Sequence, residues 1–414
     1  MSQFLLLMEV SFSLIMIVLV CSDVVLAMAG ESEGVFDVRE SGAVGDGITD
    51  DTEAFLEAWE AACGQECVSS TLVVPDNSSF LVGQIIFKGP CKASQITFQV
   101  LGEIVAPASP LYWEGLDPSS WIVFRAVNRL HVTGTGLING GGTGWWDQSC
   151  RYHPELKGCT VLAPTAMKFI SCASGSLTKV RFVNSSQTHV LIMGCWLFYV
   201  DSLMIKAPGN SPNTDGIHIQ SSQYVTISHV AISTGDDCIS IGDHTSNIYV
   251  FSATCGPGHG ISIGSLGRGG NFVQVQNIFV AGVLFRNTTN GARIKTWQVG
   301  KGYVRNVLFE HLHFDSVRNP VIIDQNYCFT RGACPEIPHS GVQISNVAYI
   351  NLFGTSQTEI AINLNCSRTV ACTGIMLGSI YLTSASPGKQ ANSSCTNAYG
   401  NTIGRVHPPS CLIS

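Results

Sequence analysis

The chain has 414 residues, of which 45% are hydrophobic and only 12% are charged, and it contains 42 glycines. A formal net charge of −7 argues against nucleic acid or an anionic membrane surface as the partner. Low charge with many glycines indicates a tightly wound β structure, and repeat folds of that kind grow along one axis without dividing into domains.

The first 29 residues are mostly apolar and contain no lysine or arginine. Ala27-Met28-Ala29 resembles the small-x-small site at which signal peptides are cleaved, and Asp23 leaves the apolar run short for a membrane span. We therefore predict a secretory signal peptide over residues 1–29 and a single domain over residues 30–414. An uncleaved anchor is the alternative, because the basic residues that usually begin a signal peptide are missing.

The sixteen cysteines are consistent with export, although Cys21 would leave with the signal peptide and at least one of the remaining fifteen cannot pair within the chain. Zinc binding is the alternative, but no Cys-x-x-Cys pair is present. Three spacings suit local disulfides: Cys328 with Cys334, Cys366 with Cys372, and Cys395 with Cys411. Five Asn-x-Ser/Thr sequons are candidate glycosylation sites: Asn77, Asn184, Asn287, Asn365 and Asn392.

One short amphipathic helix is predicted near the start of the mature chain. Asp50 and Glu53 resemble an N-cap residue and its capping-box partner. The apolar residues that follow at helical spacing are Phe55, Ala58, Trp59 and Ala62. Such a helix would cover the first coil of a β stack, whose unpaired edge would otherwise associate with other chains.

From Thr71 to Leu137 short apolar runs alternate with turns, which predicts a succession of short strands. A glycine cluster then precedes Trp145 and Trp146. We expect these two indoles to pack beneath the glycine loop rather than to stack on a ligand. After Cys159 the apolar residues expected at equivalent places on successive coils are Leu203, Val225, Ile248, Ile278, Val307, Val347 and Ile375.

Three segments between Asn213 and Ile263 align on Ile-x-Ile pairs. They read Asn-Thr-Asp-Gly-Ile-His-Ile, Gly-Asp-Asp-Cys-Ile-Ser-Ile and Gly-His-Gly-Ile-Ser-Ile. Their first isoleucines, Ile217, Ile239 and Ile261, recur every 22 residues, a period typical of a stacked repeat with one short strand per turn. Because side chains alternate along a strand, the isoleucines point into the core and the residues between them point outward: His218, Ser240 and Ser262.

The same period places Asp215, Asp237 and His259 in one column on neighbouring strands, about 4.8 Å apart, with Asp236 beside it. A fourth segment, Gly-Ala-Arg-Ile-Lys-Thr, follows on the next coil. Aligning Ile294 with Ile261 extends the stack to this segment.

Alternation along the fourth segment puts Arg293 and Lys295 on one face. The sequence thus predicts three carboxylates, one imidazole and two cations on a single strip. Crowded carboxylates cannot all ionise easily, so one group can stay protonated as an acid while its neighbours act as bases. Glycoside hydrolysis needs that combination.

The four motifs, in this order, also resemble the signature of the polygalacturonases, the family 28 glycoside hydrolases, and the resemblance extends from about Phe36 to beyond Cys372. It is nearest to the plant enzymes. It implies an all-β fold, a single-stranded right-handed parallel β-helix. The implied activity is hydrolysis of the α-1,4-galacturonosyl bonds of de-esterified pectin, endo-acting and with inversion. No cofactor and no metal are expected, and the protein would be a monomer outside the cell, in the cell wall.

The resemblance also implies roles for single residues. Asp236 would donate the proton, while Asp215 and Asp237 activate water and His259 holds the carboxyl network. The residues expected to contact or shape the substrate site are Arg293, Lys295, Tyr327 and Asn213. Family likeness and coil geometry together predict a disulfide between Cys238 and Cys255. Three positions depart from the family pattern, none in the predicted catalytic set: Asn139, Ala163 and Val299.

Four alternatives stay open at this point. An exo-polygalacturonase differs only in the loops at the ends of the groove, and a rhamnogalacturonan or xylogalacturonan hydrolase differs in its substrate. A calcium-dependent pectate lyase on the same fold would use an arginine as its base. A non-catalytic pectin-binding wall protein would be expected to lack a catalytic residue, and none is missing.

Overall fold

A computed structural model describes residues 33–149, 163–328 and 341–414, which belong to one compact unit. The predicted signal peptide lies outside the described residues. So does Cys334, the predicted disulfide partner of Cys328. No helix among the described residues is both long and apolar enough to cross a membrane.

The described chain is built almost entirely of short strands. In chain order they are β1 (Glu33–Asp37), β2 (Asp46–Asp50), β3 (Ser69–Val74), β4 (Ser79–Leu81), β5 (Ile85–Lys88), β6 (Gln95–Val100), β7 (Glu103–Val105), β8 (Ser120–Arg125), β9 (Leu130–Thr133), β10 (Leu137–Asn139), β11 (Thr165–Ile170), β12 (Ala173–Thr178), β13 (Arg181–Val183), β14 (Val190–Met193), β15 (Trp196–Asp201), β16 (Met204–Lys206), β17 (Ile217–Gln220), β18 (Gln223–Ser228), β19 (Ala231–Ser233), β20 (Ile239–Ile241), β21 (Thr245–Cys255), β22 (Ile261–Leu266), β23 (Phe272–Arg286), β24 (Asn290–Trp297), β25 (Lys301–Val317), β26 (Asn319–Tyr327), β27 (Gln343–Ser356), β28 (Ile360–Asn365), β29 (Cys372–Ser384), β30 (Asn392–Thr396) and β31 (Ala398–His407). The helices are α1 (Thr52–Gly64) and α2 (Thr143–Trp146), with short 3-10 turns at Val38–Ser41, Pro110–Trp113 and Arg268–Gly270.

The strands form two parallel sheets that coil around one core. The eleven-stranded sheet takes one strand from each coil, in the order β5, β8, β11, β14, β17, β20, β22, β24, β26, β28 and β30. Within it, Ile217 pairs with Ile239 and Ile239 with Ile261, as their 22-residue period predicts. The other strands form the second sheet. The predicted all-β, parallel β-helix fold is confirmed.

The predicted column of apolar residues is correct for six of its seven members. Val225, Ile248, Ile278, Val307, Val347 and Ile375 pair in that order on successive coils of the second sheet. Leu203 was wrongly included, because Phe198 pairs with Val225 and Leu203 falls in the turn between β15 and β16.

An asparagine ladder runs beside this column and was not predicted. Asn277 donates to Asn247 (2.9 Å), Asn306 to Asn277 (3.1 Å) and Asn346 to Asn306 (3.3 Å). All four adopt left-handed φ values between 54° and 58°, which asparagine tolerates better than most residues. The recurring Asn-Ile and Asn-Val pairs are the sequence signal for this ladder.

Helix α1 confirms the predicted amphipathic helix, and its apolar residues Phe55, Ala58, Trp59 and Ala62 are buried. The predicted capping box is wrong. The N-cap residue is Asp51, and its carboxylate makes no cap bond with the helix. It accepts instead from the backbone N–H groups of Val44 and Gly45, at 2.7 and 3.2 Å, which ties the first loop to the helix.

Four disulfides lie wholly among the described residues: Cys63–Cys91, Cys238–Cys255, Cys366–Cys372 and Cys395–Cys411. Cys63–Cys91 had not been predicted. Cys328 is also in a disulfide, and its predicted partner is outside the described residues. Trp145 and Trp146 are buried, as expected for packing residues. Among the sequons, Asn77, Asn287 and Asn392 are exposed while Asn184 and Asn365 are half-buried, so glycosylation stays a prediction.

Candidate active site

A groove of about 380 Å³ lies on the outer face of the eleven-stranded sheet, where β17, β20 and β24 present their outward side chains. The loop from Leu266 to Val273 borders it. The polar side chains that line it include Asn213, Asp215, His218, Gln220, Asp236, Asp237, Ser240, Lys295 and Tyr327. Two predicted site residues, His259 and Arg293, are absent from this lining but contact Asp236 and Asp237, which belong to it.

The turn that presents Asp215 is fixed from both sides. Asn213 has a left-handed φ of 56°, which makes the turn before Asp215 tight. The buried Thr214 hydroxyl lies 2.6 Å from that of Ser211 and accepts from the backbone N–H of Gly235 at 3.1 Å. Thr214 therefore links the Asp215 turn to the Asp236-Asp237 turn on the next coil.

The glycines of the second and third motifs are required by close backbone contacts. A Cβ on Gly235 would lie 2.0 Å from the carbonyl oxygen of Ser211, and one on Gly260 would lie 2.2 Å from that of Asn290. Any side chain at either position would push neighbouring coils apart and displace the carboxylates beside them.

Asp237 is the most heavily bonded of the three carboxylates. Its Oδ1 accepts from Ser262 Oγ at 2.9 Å and from Arg293 Nη2 at 2.5 Å, and its Oδ2 accepts from Lys295 Nζ at 3.0 Å. Arg293 also donates through Nε to Ser262 Oγ at 2.8 Å. The side chains of Asp237 and its two cations are only 2%, 13% and 10% exposed, so these charges pair with little competition from water.

The register of β24 explains why Arg293 reaches Asp237. The alignment of Ile294 with Ile261 was wrong: Ile261 pairs with Ala292, and Ile294 pairs with Ile263. Arg293 therefore lies directly beside Ser262. The residues between Ile261 and β24 include a long strand and its loops, so the 22-residue period could not fix this register.

Asp236 bonds to His259. Nδ1 of His259 lies 2.9 Å from Asp236 Oδ1, which also accepts the backbone N–H of Asp237 at 2.8 Å. Burial opposes ionisation of Asp236. The His259 hydrogen bond and the positive charges of His259, Lys295 and Arg293 outweigh it and lower the pKa of Asp236 to about 2. The backbones of Asp237 and His259 follow the predicted column, but the imidazole contacts Asp236.

Asp215 behaves in the opposite way. Its Oδ2 accepts from Ser240 Oγ at 2.7 Å. Burial, together with the charges of Asp236 and Asp237, raises the pKa of Asp215 well above its ordinary value. Of these two carboxyl groups, Asp215 has the raised pKa and Asp236 the lowered one, although the family resemblance implies Asp236 as the proton donor.

His189 contributes to the site and was missed. It is fully buried; its Nδ1 donates to the carbonyl oxygen of Asp215 at 3.0 Å, and its Nε2 accepts from the backbone N–H of Ser185 at 3.3 Å. Burial lowers the pKa of His189 to about 4, so it is neutral and its tautomer is set by these two partners. It precedes Val190-Leu191-Ile192, one coil before Ile217, and that apolar triplet was the available signal.

Lys295 and Tyr327 meet at one end of the groove. Nζ of Lys295 lies 5.4 Å from the centre of the Tyr327 ring, which packs edge-on against Trp297. Asn139, one of the departures from the family pattern, bonds to Glu103 at 3.2 Å and takes no part in this groove.

Asp236, Asp237 and His259 offer three donor atoms within 4.8 Å of one another. Two cations already neutralise Asp237, so a divalent ion would have to displace Arg293 or Lys295. The donor set does not fit a metal site.

The chain is similar to known glycoside hydrolases over most of its length. The model of the glycosyl hydrolases family 28 matches residues 63–405. A probable polygalacturonase of Arabidopsis thaliana is 41% identical over 381 residues, 92% of this chain and 85% of the relative. A polygalacturonase of Persea americana is 42% identical over 360 residues, 87% of this chain and 76% of the relative.

Among solved structures, an endo-xylogalacturonan hydrolase from Aspergillus tubingensis superposes with a TM-score of 0.75 at 23% identity. The superposition covers 90% of this chain and 99% of that one. This likeness supports the fold.

Proposed function

The chain belongs to glycosyl hydrolase family 28, and on that premise we propose that it is a secreted polygalacturonase that hydrolyses the α-1,4-galacturonosyl bonds of de-esterified pectin. The observation that carries the proposal is the set of three carboxyl groups on adjacent coils, each in a different environment. His259 contacts Asp236, two cations neutralise Asp237, and Asp215 keeps a raised pKa. Environments that separate carboxyl groups in this way support acid–base hydrolysis.

We assign proton donation to Asp236 acting with His259. The pair holds one exchangeable proton in a 2.9 Å hydrogen bond. As the glycosidic bond breaks, negative charge develops on the leaving oxygen; a proton passes from the imidazolium of His259 through Asp236 to that oxygen, which leaves His259 as a neutral imidazole. Asp215 and Asp237 line the same groove and would orient and deprotonate the attacking water, so that the anomeric configuration inverts.

The raised pKa of Asp215 supports a second assignment, in which Asp215 is the acid. The two assignments predict opposite effects of Asp215 ionisation on the pH dependence of activity. With Asp215 as base, activity rises with pH as Asp215 loses its proton; with Asp215 as acid, activity falls with that loss. We favour the base, because Asp236 has an imidazole from which a donated proton can be replaced.

Two rival functions fit the contacts less well. In a lyase, an arginine would act as the base, whereas Arg293 is bonded to both Ser262 and Asp237 and only 13% of its side chain is exposed. In a non-catalytic pectin-binding protein, there would be no reason for the pKa values of Asp215 and Asp236 to be shifted in opposite directions.

The secretory route, endo action and a monomeric state are part of the same proposal. The disulfides fit an oxidising compartment outside the cytosol, and the exposed sequons fit a wall glycoprotein. A groove on the outer face of the sheet suits binding of a polymer segment.

The test is to incubate the purified protein with polygalacturonate and follow polymer size, reducing ends and product anomers together. Reducing ends accompanied by an early fall in polymer size and by inverted anomers are expected. Monomer release without an early fall in size would show exo action. Ultraviolet-absorbing unsaturated ends would show a lyase, and no cleavage of any pectin fraction would refute the proposal.

A further inference from the structure

His218 lies beside the catalytic carboxyl groups, and no role has been assigned to it. Ser240 Oγ lies 2.7 Å from Asp215 Oδ2 and also 2.7 Å from His218 Nδ1. On the far side of the ring, His218 Nε2 lies 3.3 Å from Gln220 Oε1. Asp215, Ser240 and His218 form a hydrogen-bonded chain, the Asp215 chain, and all three residues line the groove.

The fold brings these residues together through register and alternation. His218 and Gln220 are both outward residues of β17, and His218 pairs with Ser240 on β20. Gly242 follows β20, and a Cβ at that position would lie only 3.2 Å from His218 Cε1. The absence of a side chain at Gly242 therefore leaves space for the His218 ring.

The proton count fixes the direction of the bonds when Asp215 is ionised. A serine hydroxyl has one proton, and Ser240 gives it to the carboxylate. The contact between Ser240 and His218 is then a hydrogen bond only if Nδ1 carries a proton and donates it. His218 therefore occupies the acceptor side of the hydroxyl and keeps its proton directed at Asp215.

We propose that His218 is a positioning residue for Asp215: acting through Ser240, it holds one carboxylate oxygen in place and favours the ionised form that activates water. This inference rests on the proposed function, because it assigns Asp215 the part of the base. It needs no contact between His218 and the substrate.

The electrostatic surroundings explain why a single hydrogen bond matters here. Burial and two neighbouring carboxylates raise the pKa of Asp215, whereas the Ser240 hydrogen bond lowers it. Burial also lowers the pKa of His218, so the ring is neutral; with its proton on Nδ1, the ring accepts at Nε2, and Gln220 bonds to it only by presenting its amide N–H₂. The titratable groups that face this chain are Asp236, Asp237, Lys295 and His189.

The test measures the acid limb of the kcat/KM–pH profile on polygalacturonate in matched variants. His218→Phe fills the site without donating, and Ser240→Ala removes the hydroxyl. Ser240→Ala should move the acid limb about one pH unit upward, since a hydrogen bond to a charged group is worth about one pKa unit or more. His218→Phe should move it in the same direction by less, because the Ser240 hydroxyl can still donate to Asp215. His218→Asn carries an amide N–H close to the position of Nδ1 and should keep the limb where it is in the wild type.

Leu191→Ala is the control for damage to the groove floor. Leu191 pairs with His218 from the preceding coil and contributes no polar atom to the Asp215 chain. Equal acid limbs in wild type, His218→Phe and Ser240→Ala would overturn the proposal. So would an equal shift in Leu191→Ala, or a shift in His218→Asn as large as that in His218→Phe.

A second measurement separates this inference from the proposed function. If wild type fails to cleave polygalacturonate, the function is wrong, and the titration of Asp215 can still be followed by carboxyl NMR of labelled protein. A higher Asp215 titration midpoint in Ser240→Ala and a wild-type midpoint in His218→Asn would support the Asp215 chain. Unchanged midpoints would overturn it. If His218→Phe does not fold, His218→Leu removes the same hydrogen bond and makes the same comparison with His218→Asn.

Discussion

Lys295 Nζ lies 3.0 Å from Asp237 Oδ2, so a cation expected from its sequence motif to contact the substrate also pairs with a carboxylate of the candidate site. Arg293 makes the matching contact with Oδ1. The two cations differ in their access to substrate, because Lys295 lines the groove and Arg293 does not. This difference can be measured.

Lys295→Met should lower kcat/KM on polygalacturonate by about one to two orders of magnitude, the value of a charge-assisted hydrogen bond of about 1.5–3 kcal/mol. It should also lose sensitivity to methyl esterification of the pectin, because the esterified sugar lacks the carboxylate that Lys295 would meet. Arg293→Gln should lose activity yet remain as sensitive to esterification as wild type. If Lys295→Met and wild type were equally sensitive to methyl esterification, Lys295 would pair with Asp237 without contacting the substrate carboxylate.

Asp236→Asn should fold normally and lose about two to four orders of magnitude in turnover, the usual contribution of a general acid. Reducing-end assays give the rate, and thermal unfolding checks the fold. A variant that kept more than a tenth of wild-type activity would show that Asp236 is not the donor. Combining it with Asp237→Asn should cost far less than the sum of the single effects, since the groups act together.

Asp215→Asn should be inactive but more stable than wild type near neutral pH. A carboxyl whose folded pKa lies above its usual 3.8 binds its proton more tightly in the folded state, so it destabilises the fold as pH rises through 3.8 towards the folded value. The asparagine cannot ionise and avoids this cost. The gain in melting temperature should therefore shrink to nothing as the pH falls below 3.8. A gain that did not depend on pH would contradict this reasoning.

Stability should also depend on pH through Asp236, with the opposite sign. Its pKa of about 2 lies below the usual 3.8, so the His259 contact stabilises the fold above pH 3.8 and the contribution is lost as pH falls towards 2. His259→Leu should remove this part of the acid sensitivity. Acid unfolding curves that coincide for wild type and His259→Leu after normalisation to pH 7 would rule it out.

Replacing Cys238 and Cys255 together by serine should cost about 3 kcal/mol of unfolding free energy in the chain-entropy model, for a sequence separation of 17. Activity should fall as well, because Cys238 directly follows Asp237. The matched control is the Cys366–Cys372 disulfide, with a separation of only 6. Its removal should destabilise less and leave kcat unchanged. Equal effects on kcat would mean that neither disulfide specifically braces the site.

Much of the fold could be predicted because local rules repeat along the chain. The 22-residue recurrence of Ile217, Ile239 and Ile261 was sufficient to predict paired strands, inward isoleucines and outward polar residues, since alternation and coil length are properties of the local sequence. Where coil length changed, prediction failed. The longer span before β24 left the strand register undetermined, and Ile294 pairs with Ile263 instead of the predicted Ile261.

The set of site residues was also largely determined by sequence, whereas their contacts were decided by tertiary structure. Neighbouring coils lie close enough that His259 could reach either Asp236 or Asp237, and backbone turns and side-chain rotamers select Asp236. Burial and the sum of nearby charges then raise the pKa of Asp215 and lower that of Asp236. Burial and charge–charge interactions depend on distances in three dimensions, so the pKa shifts that they cause cannot be predicted from residue spacing along the chain.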